Sequence, residues 1–112
     1  MSDQAPGYIV AEITTHDDET YEEYVERSGP VLAAYGAELL VHAFTAPGEV
    51  LVKEGGREFE RLVVVRFESL DRVTEFYHSD DYQSIGGLRH ASAESHVYHA
   101  AGVAPAPSSP TP

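Results

Sequence analysis

Four segments of the chain alternate between apolar and polar positions with a period of two. In the clearest, Arg61 to Phe67, one set of positions holds Val63, Val65 and Phe67, and the other holds Leu62, Val64 and Arg66. Successive side chains of a β-strand point to opposite faces of its sheet, so this pattern predicts a strand with one wholly apolar face. The ranges 8–14, 38–44 and 95–101 show the same alternation, so we expect four strands.

Helical periodicity separates these strands. A first helix is expected from Asp17 or Asp18 to about residue 35, ended by Gly36 in a left-handed conformation. Pro30 lacks a backbone donor, so a kink or two short helices are expected there. Ser69 precedes a second helix, and 79–81 ends that helix and caps a short third one reaching about residue 92. The range 49–54 suggests a short extra strand.

The resulting order, β-α-β-β-α-β, predicts an α+β fold of the ferredoxin-like type. In this topology the sheet is antiparallel, its strand order is four-one-three-two, and both helices cover one face. We expect one domain over 8–101, with a short leader at 1–7. The tail at 102–112 is rich in proline and is expected to be disordered.

The even-numbered side chains are expected on the face away from the helices. That face would carry Tyr8, Val10, Glu12, Leu40, His42, Phe44, Leu62, Val64, Arg66, His96 and Tyr98. An apolar surface of this extent usually marks an interface. The simplest partner is a second copy of the chain, so we expect a homodimer whose two sheets form a barrel around an interior cavity. Side chains of this face would then bind the substrate: Tyr8, Val10, Leu40, Phe44, Val64, Arg66 and Tyr98.

Three ionisable residues of this face are candidates for catalysis. Glu12 and His96 are expected to be cross-strand neighbours, and burial would tune them as an acid/base pair. His42 would act as a second proton donor or as an anchor. Alternatively, Glu12 and His96 are an ordinary cross-strand pair and His42 lies at the dimer seam. Arg66 either anchors the ligand or pairs with Glu38.

Composition limits the classes of partner. The net charge of −12 disfavours nucleic acid and anionic membrane surfaces, and there is no cysteine for disulfides or thiolate chemistry. No apolar run reaches the ~20 residues of a membrane helix, and the N-terminus lacks the features of a signal peptide. We therefore expect a cytoplasmic protein. Glu12, His42 and His96 could form a two-histidine-one-carboxylate site, but no short-spaced motif supports it, so neither metal nor cofactor is expected.

Several spaced motifs resemble the family known as domain of unknown function 1330. They are Tyr8-Ile9-Val10-Ala11-Glu12-Ile13, Tyr21-Glu22-Glu23-Tyr24, Tyr35-Gly36-Ala37, Glu54-Gly55, residues 61–70, Phe76-Tyr77-His78-Ser79-Asp80-Asp81-Tyr82-Gln83 and Arg89. The resemblance implies a ferredoxin-like fold that dimerises into an α/β barrel. Its superfamily includes cofactor-free monooxygenases and muconolactone-type isomerases, whose cavities often hold a small aromatic or polyketide-like ligand.

The resemblance also singles out Tyr77, Tyr82 and Arg89, which match the family motif. They would shape the pocket rim or anchor an anionic substrate; alternatively, the tyrosines pack the turn after the second long helix and Arg89 caps it. Asp80 and Asp81 stand where the family usually has proline and glutamate, a difference at the mouth of the cavity.

Three functions follow from these patterns. The first is a cofactor-independent enzyme of secondary or catabolic metabolism that performs cyclisation, isomerisation, elimination or hydrolysis on a small molecule in an apolar cavity. The second is a cofactor-free monooxygenase acting on an aromatic or polyketide-like substrate. The third is a binding or accessory protein without a reaction.

Overall fold

The computed structural model describes residues 5–51, 54–55 and 57–104 of the chain. Within them the elements follow one another as β1 (Gly7–Thr15), α1 (Asp18–Ala34), β2 (Glu38–Phe44), β3 (Arg61–Phe67), α2 (Leu70–His78), α3 (Asp80–Ser92) and β4 (Ala93–Ala101). The strands form one antiparallel sheet in the order β2-β3-β1-β4. This confirms the ferredoxin-like fold and the predicted strand order. No helix in the described ranges is long and apolar enough to cross a membrane.

Local signals set the ends of the helices. Each helix begins at a side-chain oxygen that accepts a backbone N–H: Asp17 for α1, Ser69 for α2 and Ser79 for α3. Such caps satisfy donors that have no partner within the helix. Gly36 follows α1 with a φ of 71°, a conformation that glycine adopts without strain. These features agree with the pattern of the sequence.

Two expectations of local structure differ from the fold. The helix α1 runs through Pro30 as one element, so the prediction of two short helices is wrong. Packing of Tyr24, Val31 and Leu32 on the core supports the helix on both sides of the proline. The extra strand expected at 49–54 is not formed at residues 49–51 or 54, and the other two positions lie outside the described residues. Most of the predicted leader and tail lies outside them as well.

The core lies between the helices and one face of the sheet. Its larger cluster packs α2 and α3 on β3 through Phe67, Val73, Phe76, Tyr82 and Ile85. Burying large apolar side chains contributes about 1.5–3 kcal/mol each, so this cluster fixes α2 and α3 against the sheet. A smaller cluster joins Tyr21 of α1 to Ala11 and Ile13 of β1 and Ala93 of β4.

A β-bulge changes which residues of β2 face the helices. Leu39 is opposite Val65, but Val41 is already opposite Val64, so Leu40 is the extra residue. From there onward the alternation in β2 is inverted, because a bulge adds one residue to one strand only. His42 and Phe44 therefore face the helices. The prediction that they lie on the opposite face is wrong.

The first residue of β3 contradicts the expectation that one face of this strand is wholly apolar. Arg61 is opposite Ile13 of β1, which is buried beneath α1, and its guanidinium lies over the ring of Tyr21. The helix-side face of β3 therefore begins with a cation and is not wholly apolar.

Candidate functional site

A cavity of ≈ 370 Å³ lies between α1 and the sheet. Its volume falls within the range of about 300–1,000 Å³ typical of small-molecule sites. Val25 of α1 and Leu39 of β2 line the cavity and are exposed, so solvent reaches it at these two residues. Its lining is mainly apolar and includes Ile9, Ala11, Ile13, Leu32, Val63, Val65, Phe76 and Val97, with polar groups from Tyr21, Tyr24, Tyr77, Tyr82, Ser28, His42, Arg89 and His99.

The polar groups of one wall form a hydrogen-bond network. The hydroxyls of Tyr24 and Tyr82 are 2.8 Å apart, although the two residues are separated by 58 positions in the chain. Arg89 donates through Nε to the Tyr82 hydroxyl at 3.4 Å and through Nη1 to Ser95 Oγ at 2.6 Å. The network joins α1 to α3 and holds α1 above the sheet.

Arg89 is a buried cation without an acidic partner among the described residues. Only 7% of the residue is exposed, and within the described ranges no carboxylate forms an ion pair with it. Burial opposes its charge, but the neighbouring phenols of Tyr82 and Tyr24 outweigh that effect and raise the pKa of Arg89. Burying a charge is costly unless an opposite charge offsets it. Arg89 therefore places a buried positive charge at the cavity wall.

The phenol of Tyr24 remains protonated at ordinary pH. Burial raises the pKa of Tyr24 strongly, and the adjacent Tyr82 adds to the effect. A phenol that stays neutral can donate a hydrogen bond to an oxygen that gains negative charge. One hydroxyl proton lies in the bond between Tyr24 and Tyr82, so Arg89 and one of the two hydroxyls are left as donors at the cavity wall.

His99 lies beside this wall, on the helix-side face of β4. Burial lowers the pKa of its imidazole, and the charge of Arg89 and the neighbouring His78 lower it further. The imidazole is packed edge-on against Tyr77, with ring centroids 4.9 Å apart. A histidine kept neutral at neutral pH can accept a proton from a bound molecule.

A second group of polar residues lies beside the cavity at its β2 end. The guanidinium of Arg61 lies 4.8 Å from the ring centre of Tyr21 and 4.6 Å from that of Phe44. Its Nη1 is 3.3 Å from Nε2 of His42, and its Nη2 is 3.3 Å from Oε1 of Glu60. Arg61 therefore places a cation next to His42, which lines the cavity.

The predicted catalytic residues are divided between the two faces of the sheet. Glu12 and His96 are register partners on β1 and β4, as expected. They face away from the helices, however, and His42 does not, so the prediction that the three meet in one chamber is wrong. Oε1 of Glu12 is 3.0 Å from Nε of Arg57, an ion pair without the alignment of a hydrogen bond. Within the described ranges, no three histidine, aspartate or glutamate residues are grouped to bind a metal.

The other predicted binding residues are divided in the same way. Tyr8, Val10, Val64 and Tyr98 lie on the face away from the helices, where 47% of Tyr98 is exposed. Arg66 pairs loosely with exposed Glu38, at 3.7 Å, as one of the two sequence interpretations expected. The helix-side cavity is lined instead by the residues of the family motif, Tyr77, Tyr82 and Arg89.

Sequence reasoning did not identify Arg61 or His99 as site residues. Strict alternation within 61–67 would have placed Arg61 with Val63 on the helix side, so a signal for it was present. His99 is likewise an odd-numbered position of its strand, like Val97. Tyr24 was identified as part of an apolar stripe, but its hydrogen bond to Tyr82 depends on tertiary packing.

Comparison with known proteins identifies the family. A family model described as "Domain of unknown function (DUF1330)" matches residues 6–103. The chain belongs to this family. No curated protein matches it significantly. The DUF1330 chain resembles a solved protein of unknown function from Rhodopseudomonas palustris, with 16% identity, a TM-score of 0.72, and coverage of 91% of this chain and 85% of that one.

Two further structures share the fold of this DUF1330 protein. SnoaB from Streptomyces nogalater, a cofactor-independent oxygenase, is 12% identical with a TM-score of 0.62, over 92% of this chain and 98% of SnoaB. A dimeric ferredoxin-like protein of unknown function from Thermobifida fusca is 10% identical with a TM-score of 0.59, over 90% of this chain and 94% of that one. At these identities the likeness concerns the fold.

Proposed function

We propose that this DUF1330 protein is a cofactor-independent enzyme that binds a small, largely apolar organic molecule in the helix-side cavity and moves a proton on it. The observation that carries the proposal is Arg89, a buried cation without a carboxylate partner in the described ranges, facing an apolar cavity. A substrate oxygen that becomes negative would supply the missing charge. A donor placed where charge develops lowers the barrier of the reaction.

His99 is the proposed base. It removes a proton from a C–H or O–H group of the substrate, and the electron pair left behind moves onto the substrate oxygen, giving an enolate or phenolate. Arg89 stabilises that oxygen, together with whichever of the Tyr24 and Tyr82 hydroxyls does not donate to the other. Return of the proton to a different atom completes an isomerisation. In a cyclisation, the enolate carbon attacks a carbonyl carbon of the same molecule, the C=O π bond breaks, and its oxygen takes the proton back from His99.

A cofactor-free monooxygenase is the second candidate. The fold shared with SnoaB, described as a cofactor-independent oxygenase, supports it. The same site suits that chemistry, since an enolate or phenolate is the electron-rich species that reacts with oxygen. Oxygen consumption separates the two functions, because proton transfer alone consumes none.

A homodimer is part of the proposal. The face away from the helices carries Tyr8, Val10, Val64 and Tyr98, of which Tyr98 is 47% exposed, and a related fold from Thermobifida fusca is described as dimeric. A second copy would cover this face and enclose Glu12 and His96. Their predicted acid/base role would then operate in a chamber separate from the helix-side cavity.

Hydrogen–deuterium exchange tests the proposal. The probe is β-tetralone, a bicyclic ketone with an acidic CH₂ beside its carbonyl, dissolved in D₂O and followed by NMR. The wild-type protein is expected to accelerate exchange at that carbon. Removing one oxyanion donor typically costs 10²–10³ in rate, so Arg89→Met should reduce the acceleration by roughly that factor.

Controls separate the two faces of the sheet. His99→Gln should also lose the acceleration, whereas His90→Gln, an exposed histidine on α3, should keep it. If Glu12→Gln loses the acceleration and Arg89→Met does not, the reaction belongs to the opposite face. Oxygen uptake in the same solution would assign the oxygenase function, and binding without exchange would indicate a binding protein.

A further inference from the structure

The β2 end of the cavity holds a polar group that the proposed reaction does not use. Arg61 is fixed there between the rings of Tyr21 and Phe44, and its side chain is 13% exposed. Its Nε–H is buried and has no acceptor in the described ranges. A guanidinium held on two faces by aromatic rings has little freedom to turn, so its contact with His42 has a fixed direction.

The direction of the hydrogen bond between Arg61 and His42 determines which ring nitrogen of His42 carries the proton. Arginine has five N–H donors and no acceptor, so Nη1 of Arg61 is the donor in its 3.3 Å contact with Nε2 of His42. Nε2 must then carry a lone pair, and the single proton of the neutral imidazole lies on Nδ1. His42 lines the cavity, and no described group accepts from its Nδ1. The ring therefore offers one free donor.

The two ends of the cavity differ in charge. The positive charge of Arg61 is balanced by the carboxylate of Glu60. Oε1 of Glu60 also accepts a hydrogen bond from the Thr15 hydroxyl at 2.7 Å. Burial would raise the pKa of Glu60, but the hydrogen bonds from Thr15 and the charge of Arg61 outweigh it and lower the pKa, so Glu60 stays ionised. Within the part of the chain that the structure describes, no carboxylate balances the charge of Arg89. The β4 end therefore favours an anionic oxygen and the β2 end a neutral one.

We propose that Arg61 holds His42 as the Nδ1–H tautomer, and that His42 forms a second subsite which donates to a neutral carbonyl or hydroxyl oxygen of the substrate. The inference rests on the proposed function, since it assumes that the same molecule places its anionic oxygen at Arg89. Three strand spacings of ~4.8 Å separate the backbones of β2 and β4 by about 14 Å. Side chains at both ends shorten that span to the length of two or three fused rings. The substrate class is thus an elongated aromatic or polyene anion with a neutral oxygen at its far end.

NMR of the imidazole nitrogens tests the tautomer without any ligand. The wild-type spectrum is expected to show His42 protonated on Nδ1, and Arg61→Met should shift it towards the Nε2–H form that free histidine favours. Arg61→Lys should restore part of the wild-type signal, since lysine also only donates. Arg72→Met is the matched control, because Arg72 likewise stacks on a tyrosine and pairs with a glutamate, but in α2. A wild-type His42 protonated on Nε2 would overturn the inference.

Two naphthoates test the subsite. β-Naphthoate has only the anionic end, and 6-hydroxy-2-naphthoate adds an oxygen at the opposite end of the rings. The added hydroxyl is expected to improve affinity about fivefold, the factor for one hydrogen bond. His42→Phe should abolish that gain, so that the variant binds the two naphthoates with equal affinity. Equal affinities in the wild type would overturn the subsite and leave the proposed function standing. Binding of neither compound would overturn both.

Discussion

Arg89 is expected to bind the anion and not to stabilise the fold, and Arg89→Met tests this. The variant keeps the apolar stem and removes the guanidinium from the cavity wall. A hydrogen bond to a charged group contributes about 1.5–3 kcal/mol, so β-naphthoate should bind roughly ten- to hundredfold more weakly. The amide of the same acid carries no charge and should lose much less affinity.

The stability of the free protein should change in a different way. Arg89 is 7% exposed and lacks a carboxylate in the described ranges, so its burial costs several kcal/mol. The variant loses bonds from the charged guanidinium to Tyr82 and Ser95 of about 1.5–3 kcal/mol each, and Tyr82 keeps its bond to Tyr24. The burial cost that is removed is of similar size, so the free energy of unfolding is expected to change little.

Two measurements decide this prediction. Fluorescence titration gives the affinities for the acid and its amide, and urea unfolding gives the stability of the empty protein. Arg27→Met, on the exposed side of α1, is the control for the loss of a positive charge. If Arg89→Met keeps its affinity for β-naphthoate and loses about 3 kcal/mol of stability, Arg89 is a structural residue and the argument for an anion is wrong.

Three further predictions concern other parts of the molecule. Burial lowers the pKa of His99 below its ordinary 6.5. The exchange rate should therefore fall only as the pH drops through that lower value, where His99 becomes protonated and stops acting as a base. A fall in the exchange rate that is centred above pH 6.5 would contradict this prediction. Gly7→Ala should destabilise the fold by several kcal/mol, since the new Cβ would lie 2.5 Å from the Ser69 carbonyl oxygen. At Gly87 the added Cβ meets open space, so Gly87→Ala should stabilise α3 by roughly 0.5–1 kcal/mol. Urea unfolding compares the stabilities of the two variants. Val64→Asp should convert the proposed dimer to monomers in native mass spectrometry, and an unchanged mass would exclude this face as the interface.

The local elements of this fold follow closely from the sequence. The bounds of β2 and β3 agree with the alternation in 38–44 and 61–67, and the caps at Asp17, Ser69 and Ser79 agree with the residue types found there. These signals act over a few residues, through backbone sterics and the nearest hydrogen bonds. They need no knowledge of the rest of the chain.

The face of the sheet on which each side chain lies was predicted less completely. Alternation places Glu12 opposite His96 correctly, because β1 and β4 pair without interruption. It fails for His42 because the bulge at Leu40 depends on how β2 fits against β3, and nothing in 38–44 alone reveals the extra residue. One inserted residue was enough to move His42 from the expected chamber to the cavity beneath α1.

The sequence alone determined the elements, their order, the family and the absence of thiol chemistry, since each depends on residue types and short-range periodicity. Only the tertiary structure decided that the cavity lies under α1 and that Arg89 is buried there with no acidic partner from residues 5–51, 54–55 and 57–104. The reason is one of distance along the chain. The contact between Tyr24 and Tyr82, which holds α1 above the sheet, joins residues 58 positions apart, and packing of the whole molecule brings them together.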